Sequence, residues 1–450
     1  MHEYTEETEA LAASILAFAR ARIANDQPLD HAITSTDLDE RAGRTVTPEG
    51  IGGPEALRLW ADVLAPATLS PDHPSFLAFV PGAPTKASVL FDLAVSASAT
   101  YAGSWLEGAG AVWAENEVLR WLASLAGLPD RAGGVFVSGG TAGNLSALVT
   151  ARHAAAAARG GSRPDRWLVA CADTAHSSVV SAARVMDVDV VSVAHDERGR
   201  LTEAALAAAL AGLDHPDDVF AVVASAGSTN AGAIDDLEGV ARICRERGVW
   251  LHVDGAYGGA GLVAPSVRER FHGIEHADSF IVDPHKWLFA PYDSCALLYR
   301  DPDLARAAHR QDASYLDTLN AREEWNPSDY AHHLSRRARG LPLWFSLAAS
   351  GTDAYRDAVE RVLELTREAA ELIRGRPELE LLMEPELSVL LFRRRGWRPD
   401  DYEAWWRRAL ADQVGFVQPT SWEGERVARL CFVNPRTTIG HVRAILDTTA

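Results

Sequence analysis

Short apolar runs with little polar alternation begin near residue 134 and recur, separated by helical stretches, to about residue 299. They occupy 134–138, 167–171, 188–193, 219–224, 250–254, 279–283 and 294–299. Strands apolar on both sides belong in a sheet covered on both faces, so this stretch is expected to be a mainly parallel α/β domain. The last two runs lie close together and suit antiparallel pairing. Helical spacing over 6–26 and 54–66, around the Pro/Gly-rich break at 47–54, predicts a helical N-terminal segment. Beyond residue 345 the pattern predicts a long helix, a strand at 387–392, a helix through Trp405 and Trp406, a strand at 427–432 and a closing helix. The expected organisation is therefore a helical segment over 1–66, a large α/β domain over 67–345 and a small α/β domain over 346–450.

Composition narrows the function classes. The 450 residues are 47% hydrophobic and 23% charged, enough for a large core, and the formal net charge of -19 disfavours nucleic acid and anionic membrane as partners. The first residues are acidic where a signal peptide would be basic, and no apolar run suits a bilayer span, so a cytoplasmic location is expected. Cys171, Cys244, Cys295 and Cys431 are scattered, which fits reduced core thiols rather than a metal site or a disulfide frame. The basic residues are the compositional oddity. Of 43, only Lys86 and Lys286 are lysine. Arginine serves a solvated charge equally well but cannot become a neutral amine nucleophile. Lys86 follows the loop-like 81–85 and is read as a chance survivor, whereas Lys286 is a candidate for chemistry.

The informative residues fall at expected strand ends, where ligands of open α/β sheets bind. The turn Ser138-Gly139-Gly140-Thr141-Ala142-Gly143-Asn144 leads into a helix and offers backbone NH groups and small residues to a phosphate. Alone the turn is weak evidence, and it matches neither a Walker loop nor GxGxxG. His176 follows another strand, though one histidine among 15 is usually structural. Asp254 ends the strand Trp250-Leu251-His252-Val253, where a buried carboxylate needs a partner cation; a helix cap or a metal ligand would explain it as readily. Lys286 closes Asp283-Pro284-His285-Lys286-Trp287. Together an anion cup, a stacking histidine, a carboxylate for a ring nitrogen and an amine for an aldehyde meet the needs of one cofactor, pyridoxal 5'-phosphate (PLP).

The chain resembles the group II PLP-dependent amino acid decarboxylases, and aromatic-L-amino-acid decarboxylase among them, over nearly its whole length. The resemblance rests on His73-Pro74-Ser75-Phe76, the Ser138 to Asn144 turn, Ala175-His176-Ser177-Ser178, His252-Val253-Asp254-Gly255-Ala256-Tyr257, Asp283 to Trp287, and Arg336 to Trp344. It implies PLP fold type I, like aspartate aminotransferase, in a homodimer with interfacial active sites and an N-terminal segment wrapped on the partner. It also implies that Lys286 forms the Schiff base, Asp254 pairs with the pyridine nitrogen, His176 stacks on the ring and Ala256 touches its other face. Thr229 would lie near the cofactor, and Ser138, Gly140, Thr141, Gly143 and His285 near its phosphate. Asp283 departs from the asparagine of many relatives, and a carboxylate there needs a proton or a different contact. Tyr315, 29 residues after Lys286, matches the loop tyrosine that protonates the quinonoid intermediate; relatives with phenylalanine tend toward aldehyde formation.

The implied reaction is decarboxylation of an L-amino acid to its amine and carbon dioxide. The resemblance implies a substrate pocket at Phe79, Val80, Tyr101, Gly103 and Trp105, whose partly aromatic character points to tryptophan, phenylalanine, tyrosine or DOPA. No arginine is obviously placed for a side-chain carboxylate. A decarboxylase for another amino acid, a carbon-carbon lyase, an aldehyde synthase, an aminotransferase and a non-catalytic scaffold are the alternatives.

Overall fold

The computed structural model describes residues 2–311 and 324–450. Three N-terminal helices, α1 (Glu6–Ala24), α2 (Ser35–Ala42) and α3 (Gly53–Leu59), come first, and α3 runs on into a π turn at Trp60–Leu64. Helices α4 (Lys86–Ala97) and α5 (Trp105–Leu125) follow. Lys86 is thus the first residue of a helix capped by the Thr85 side chain, at the end of the expected loop.

The large sheet is built from β1 (Gly133–Val137), β2 (Leu168–Ala172), β3 (Asp189–Val193), β4 (Val219–Ser225), β5 (Trp250–Asp254), β6 (Ser279–Val282) and β7 (Cys295–Tyr299). Its order is β1-β7-β6-β5-β4-β2-β3, and β7 runs antiparallel to both of its neighbours while the remaining pairs are parallel. Alternate residues of each strand divide between two cores. Val222, Ala224, Leu251, Val253, Phe280 and Val282 face one, and Ala221, Val223, Ile281 and Cys295 the other. Helices cover both faces: α6 (Gly140–Ala158), α7 (Ser177–Met186) and α11 (Pro302–His309) pack on one, and α5, α8 (Glu203–Ala211) and α9 (Leu237–Arg247) on the other. This double cover explains the unbroken apolar runs. The short α10 (Pro284–Trp287) leads from β6 toward β7.

After α12 (Leu341–Ser350) and the long α13 (Thr352–Arg374), a second, antiparallel sheet has the order β10-β11-β9-β8. Its strands are β8 (Leu379–Leu381), β9 (Val389–Arg394), β10 (Thr420–Trp422) and β11 (Glu425–Cys431), with α14 (Pro399–Ala411) and α15 (Ile439–Asp447) beside them. The His73 motif joins this sheet to the rest. Leu77 donates its amide to Phe416 O and accepts from the Cys431 amide, and Pro74 O accepts from the Thr437 hydroxyl. The Arg336 motif has a structural purpose as well. Its guanidinium is fully buried, paired with Glu115 of α5 at 2.7 Å, and donates to the carbonyls of Ala102 and Phe136.

Candidate active site

Parallel register sets the ends of β4, β5 and β6 side by side, with Ser225 opposite Asp254 and Asp254 opposite Ile281. The segments leaving these ends, with the starts of α6 and α7, enclose a cavity of about 230 Å³. The order of the sheet makes this site: residues far apart in the chain meet because each follows a strand carboxyl end.

Gly139, Gly140 and Thr141 line the cavity at the start of α6, where the first helical amides have no partner within the helix and so suit an anion. A Cβ on Gly140 would come within 3.2 Å of both the Ala256 methyl and Asp283 Oδ2, so the cup admits nothing larger there. His285 stands beside it, its Nδ1 accepting from the Ser294 amide at 3.1 Å. Burial lowers the His285 pKa, against the raising influence of Asp283.

Asp254 is buried, and both of its oxygens accept hydrogen bonds: Oδ1 from the Ala256 amide at 3.0 Å and Oδ2 from Asn144 Nδ2 at 2.9 Å. A carboxylate only accepts, so the amide nitrogen of Asn144 must face it. The remaining donors follow in turn. Asn144 Oδ1 accepts from His252 Nε2 at 2.8 Å, His252 Nδ1 accepts from the Ser279 hydroxyl at 2.8 Å, and Ser279 accepts from Trp250 Nε1 at 2.8 Å. Burial biases His252 toward its neutral form, pushing its pKa down to about 4 despite the charge of Asp254. Asn144 Nδ2 also donates to Ser178 Oγ at 2.8 Å, and that hydroxyl in turn donates to His176 Nδ1 at 2.8 Å. One side-chain amide thus connects the groups at Asp254 and His176. His176 caps α7 by accepting from the Ser178 amide, and its ring lines the cavity.

Lys286 Nζ lies 3.0 Å from Asp283 Oδ2. Burial alone would lower the lysine pKa, but the charge and hydrogen bond of Asp283, with the charge of Asp254, raise it. The site thus assembles an anion cup, a buried carboxylate with its orientation fixed, an imidazole and an amine. Such a set suits a phosphorylated aromatic aldehyde with a ring nitrogen, and the cavity admits one small cofactor.

Of the residues expected from sequence, Gly140, Thr141, His176, Thr229, Asp254, Ala256, Asp283, His285 and Lys286 line the cavity. Ser138 is exposed in the preceding turn, and Gly143 is buried, where a Cβ would meet Ile281 at 2.9 Å and Cys295 at 3.1 Å. Gly143 lets α6 approach the sheet. Phe79 does not line the cavity; its carbonyl and that of the cavity residue Thr229 both accept from Arg429, while Val80 packs partly buried against the larger core. Tyr101, Gly103 and Trp105 lie elsewhere in the chain. They contact Leu334, Ser328 and Asn326 respectively through hydrogen bonds of 3.0 Å. Tyr315 lies outside the described residues. Asn144, Ser178, Ser225, Gly227, Ser228 and Tyr257 also line the cavity without having been singled out from the sequence, and Arg429 adjoins it through the Thr229 carbonyl. The arginine had a visible signal, a cation inside the apolar run Val427-Ala428-Arg429-Leu430-Cys431.

A family model described as the pyridoxal-dependent decarboxylase conserved domain matches residues 57–395. The chain is 30% identical to the aromatic-L-amino-acid decarboxylase of Bacillus atrophaeus over 436 residues, covering 93% of this chain and 89% of that protein. It is 34% identical to the L-2,4-diaminobutyrate decarboxylase of Rhizobium meliloti over 387 residues, covering 83% and 77%. Among solved structures, Oryza sativa TDC with PLP and tryptamine superposes with a TM-score of 0.92 at 23% identity, covering 100% of this chain and 99% of that one.

Proposed function

We propose that this chain, which belongs to the pyridoxal-dependent decarboxylase family and so uses PLP to decarboxylate an amino acid, acts on an aromatic L-amino acid through an amine at Lys286. The observation that carries the residue assignment is the convergence of the α6 amides, Asp254 and Lys286 on one cavity of cofactor size. When bound, PLP supplies an aldehyde for amines and a ring that accepts the electron pair released with carbon dioxide. In this reading Lys286 would hold the aldehyde through its amine. Asp254, its two oxygens oriented by the donors of Ala256 and Asn144, would pair with a protonated ring nitrogen. His176 and Ala256 confine the ring, and Gly139, Gly140, Thr141 and His285 take the phosphate. Tyr315 then returns a proton to the α-carbon.

Two observations support an aromatic substrate. Phe79, exposed and joined through Arg429 to the cavity residue Thr229, offers an aromatic ring near the site, and the carboxylates lining the cavity, Asp254 and Asp283, both have partners, so neither is free to receive a side-chain ammonium. The relative in Rhizobium meliloti supports a second reading, 2,4-diaminobutyrate. Tyr101, Gly103 and Trp105 do not line the cavity of their own chain, which fits their reaching the site of a partner in a homodimer. Incubating the protein and PLP with single L-amino acids, while measuring amine, carbon dioxide, aldehyde and peroxide, separates these readings. Aromatic amine without peroxide is the expected result, and faster turnover of 2,4-diaminobutyrate would favour the second reading. Replacing Tyr315 with phenylalanine should lower amine formation by about 10²- to 10⁴-fold, the range for loss of a positioned acid.

A further inference from the structure

We propose that Asp283 is the standing counter-ion of the Lys286 nitrogen, serving both its ammonium form and the protonated imine it makes with the cofactor aldehyde. The proposal rests on the assignment of Lys286 as the attachment lysine. Asp283 is three residues before Lys286 at the start of α10 and is only 2% exposed, with Oδ2 at 3.0 Å from Nζ. Its other contacts do not neutralise it. Oδ2 accepts from the Gly140 amide at 3.3 Å, and Oδ1 is buried with no hydrogen-bond partner among the described residues. His285 Nε2 is 3.6 Å away on an imidazole that burial biases toward neutrality, and the buried Cys295 thiol is held well above its ordinary pKa. The other charged group near the lysine, Asp254, is also an anion, and the Tyr292 phenol is biased toward its neutral form. A buried carboxylate in such surroundings needs a cation, and among the described residues Lys286 is the one in contact.

The charge count at the nitrogen explains why one carboxylate can serve throughout. The ammonium first gives up a proton, its lone pair forms the carbon-nitrogen bond, and the aldehyde oxygen leaves as water. The imine nitrogen then takes a proton back, so the same atom carries one positive charge before and after. Asp283 stabilises both ends and disfavours the neutral amine between them.

The test follows the visible absorption of the PLP-loaded enzyme with pH. In Asp283→Asn, which keeps size and removes charge, the midpoint for deprotonating the imine should fall by about one to three pH units, as for loss of a close opposite charge. An unchanged midpoint overturns the proposal. Lys286→Ala must abolish the band; a band that survives shows that the attachment lysine is wrong, and the proposal falls with that assignment. Wild-type protein gives an independent arm, because labelling with ¹⁵N-lysine marks only two side chains. In protein stripped of PLP, Lys286 should deprotonate at higher pH than Lys86, whose pKa burial and Arg436 lower. The reverse order would overturn the proposal even if the variant failed to fold.

Discussion

Asn144 has a position at the residue scale that no local pattern announces. Its amide donates to Asp254 and Ser178 and accepts from His252, so Asn144→Ala leaves a buried imidazole NH unpaired and frees both neighbours. Losing such a partner costs about 1–3 kcal/mol, so the variant should bind PLP roughly 5- to 150-fold more weakly in equilibrium dialysis. Affinity equal to wild type would remove Asn144 from the site. His252 makes a separate statement about pH. Its pKa falls from an ordinary 6.5 to about 4 on folding, so the unfolded chain binds the proton first as acid is added. The stability this neutral imidazole contributes is complete above pH 6.5 and is lost as pH falls toward 4, by at most about 1.4 kcal/mol per pH unit. The stability gap between wild type and His252→Gln, from urea denaturation, should therefore shrink over that range.

The cavity-lining residues Lys286, Asp254 and His176 were legible in the sequence for different reasons: one by the scarcity of lysine, one by a carboxylate ending an apolar strand, and one by its place after another strand. Asn144 was not, because an asparagine after a glycine turn looks like any helix start. Its function exists only once β5 and α7 are brought to it.

Elements were easier to read than their arrangement. All seven apolar runs are strands of the large sheet, since double burial leaves its mark along each run. The insertion of β7 between β1 and β6 was not legible, because that pairing joins residues 133–137 to 295–299 and has no local signature. Nor were β8 and β10, at three residues each too short to show a period, or the π turn at Trp60–Leu64. Helix α6 carries the anion cup, and Gly143 sets its distance from the sheet. In Gly143→Val the new side chain meets Ile281 and Cys295, so α6 must shift, at about 1–3 kcal/mol for overpacking. Both melting temperature and PLP affinity should drop. Retention of both would show that Gly143 does not hold α6 in place.

At the scale of the molecule, one chain leaves apolar surface that a partner would cover. Helix α1 has 19 residues and none is buried, and Leu90 and Leu93, a turn apart on α4, are 54% and 53% exposed. Among the described residues no helix is long and apolar enough to cross a membrane. In the proposed homodimer these surfaces are interface, and Leu90→Glu with Leu93→Glu should shift light-scattering mass toward one chain and reduce turnover together. A dimer of undiminished mass and activity would place the interface elsewhere.

If the chemistry passes through Lys286, a chain with two lysines allows a direct measurement. The PLP-loaded protein is reduced with borohydride, digested, and its peptides are weighed. A phosphopyridoxyl group on Lys286 is the expected result; the same group on Lys86, or on neither lysine, would contradict the account.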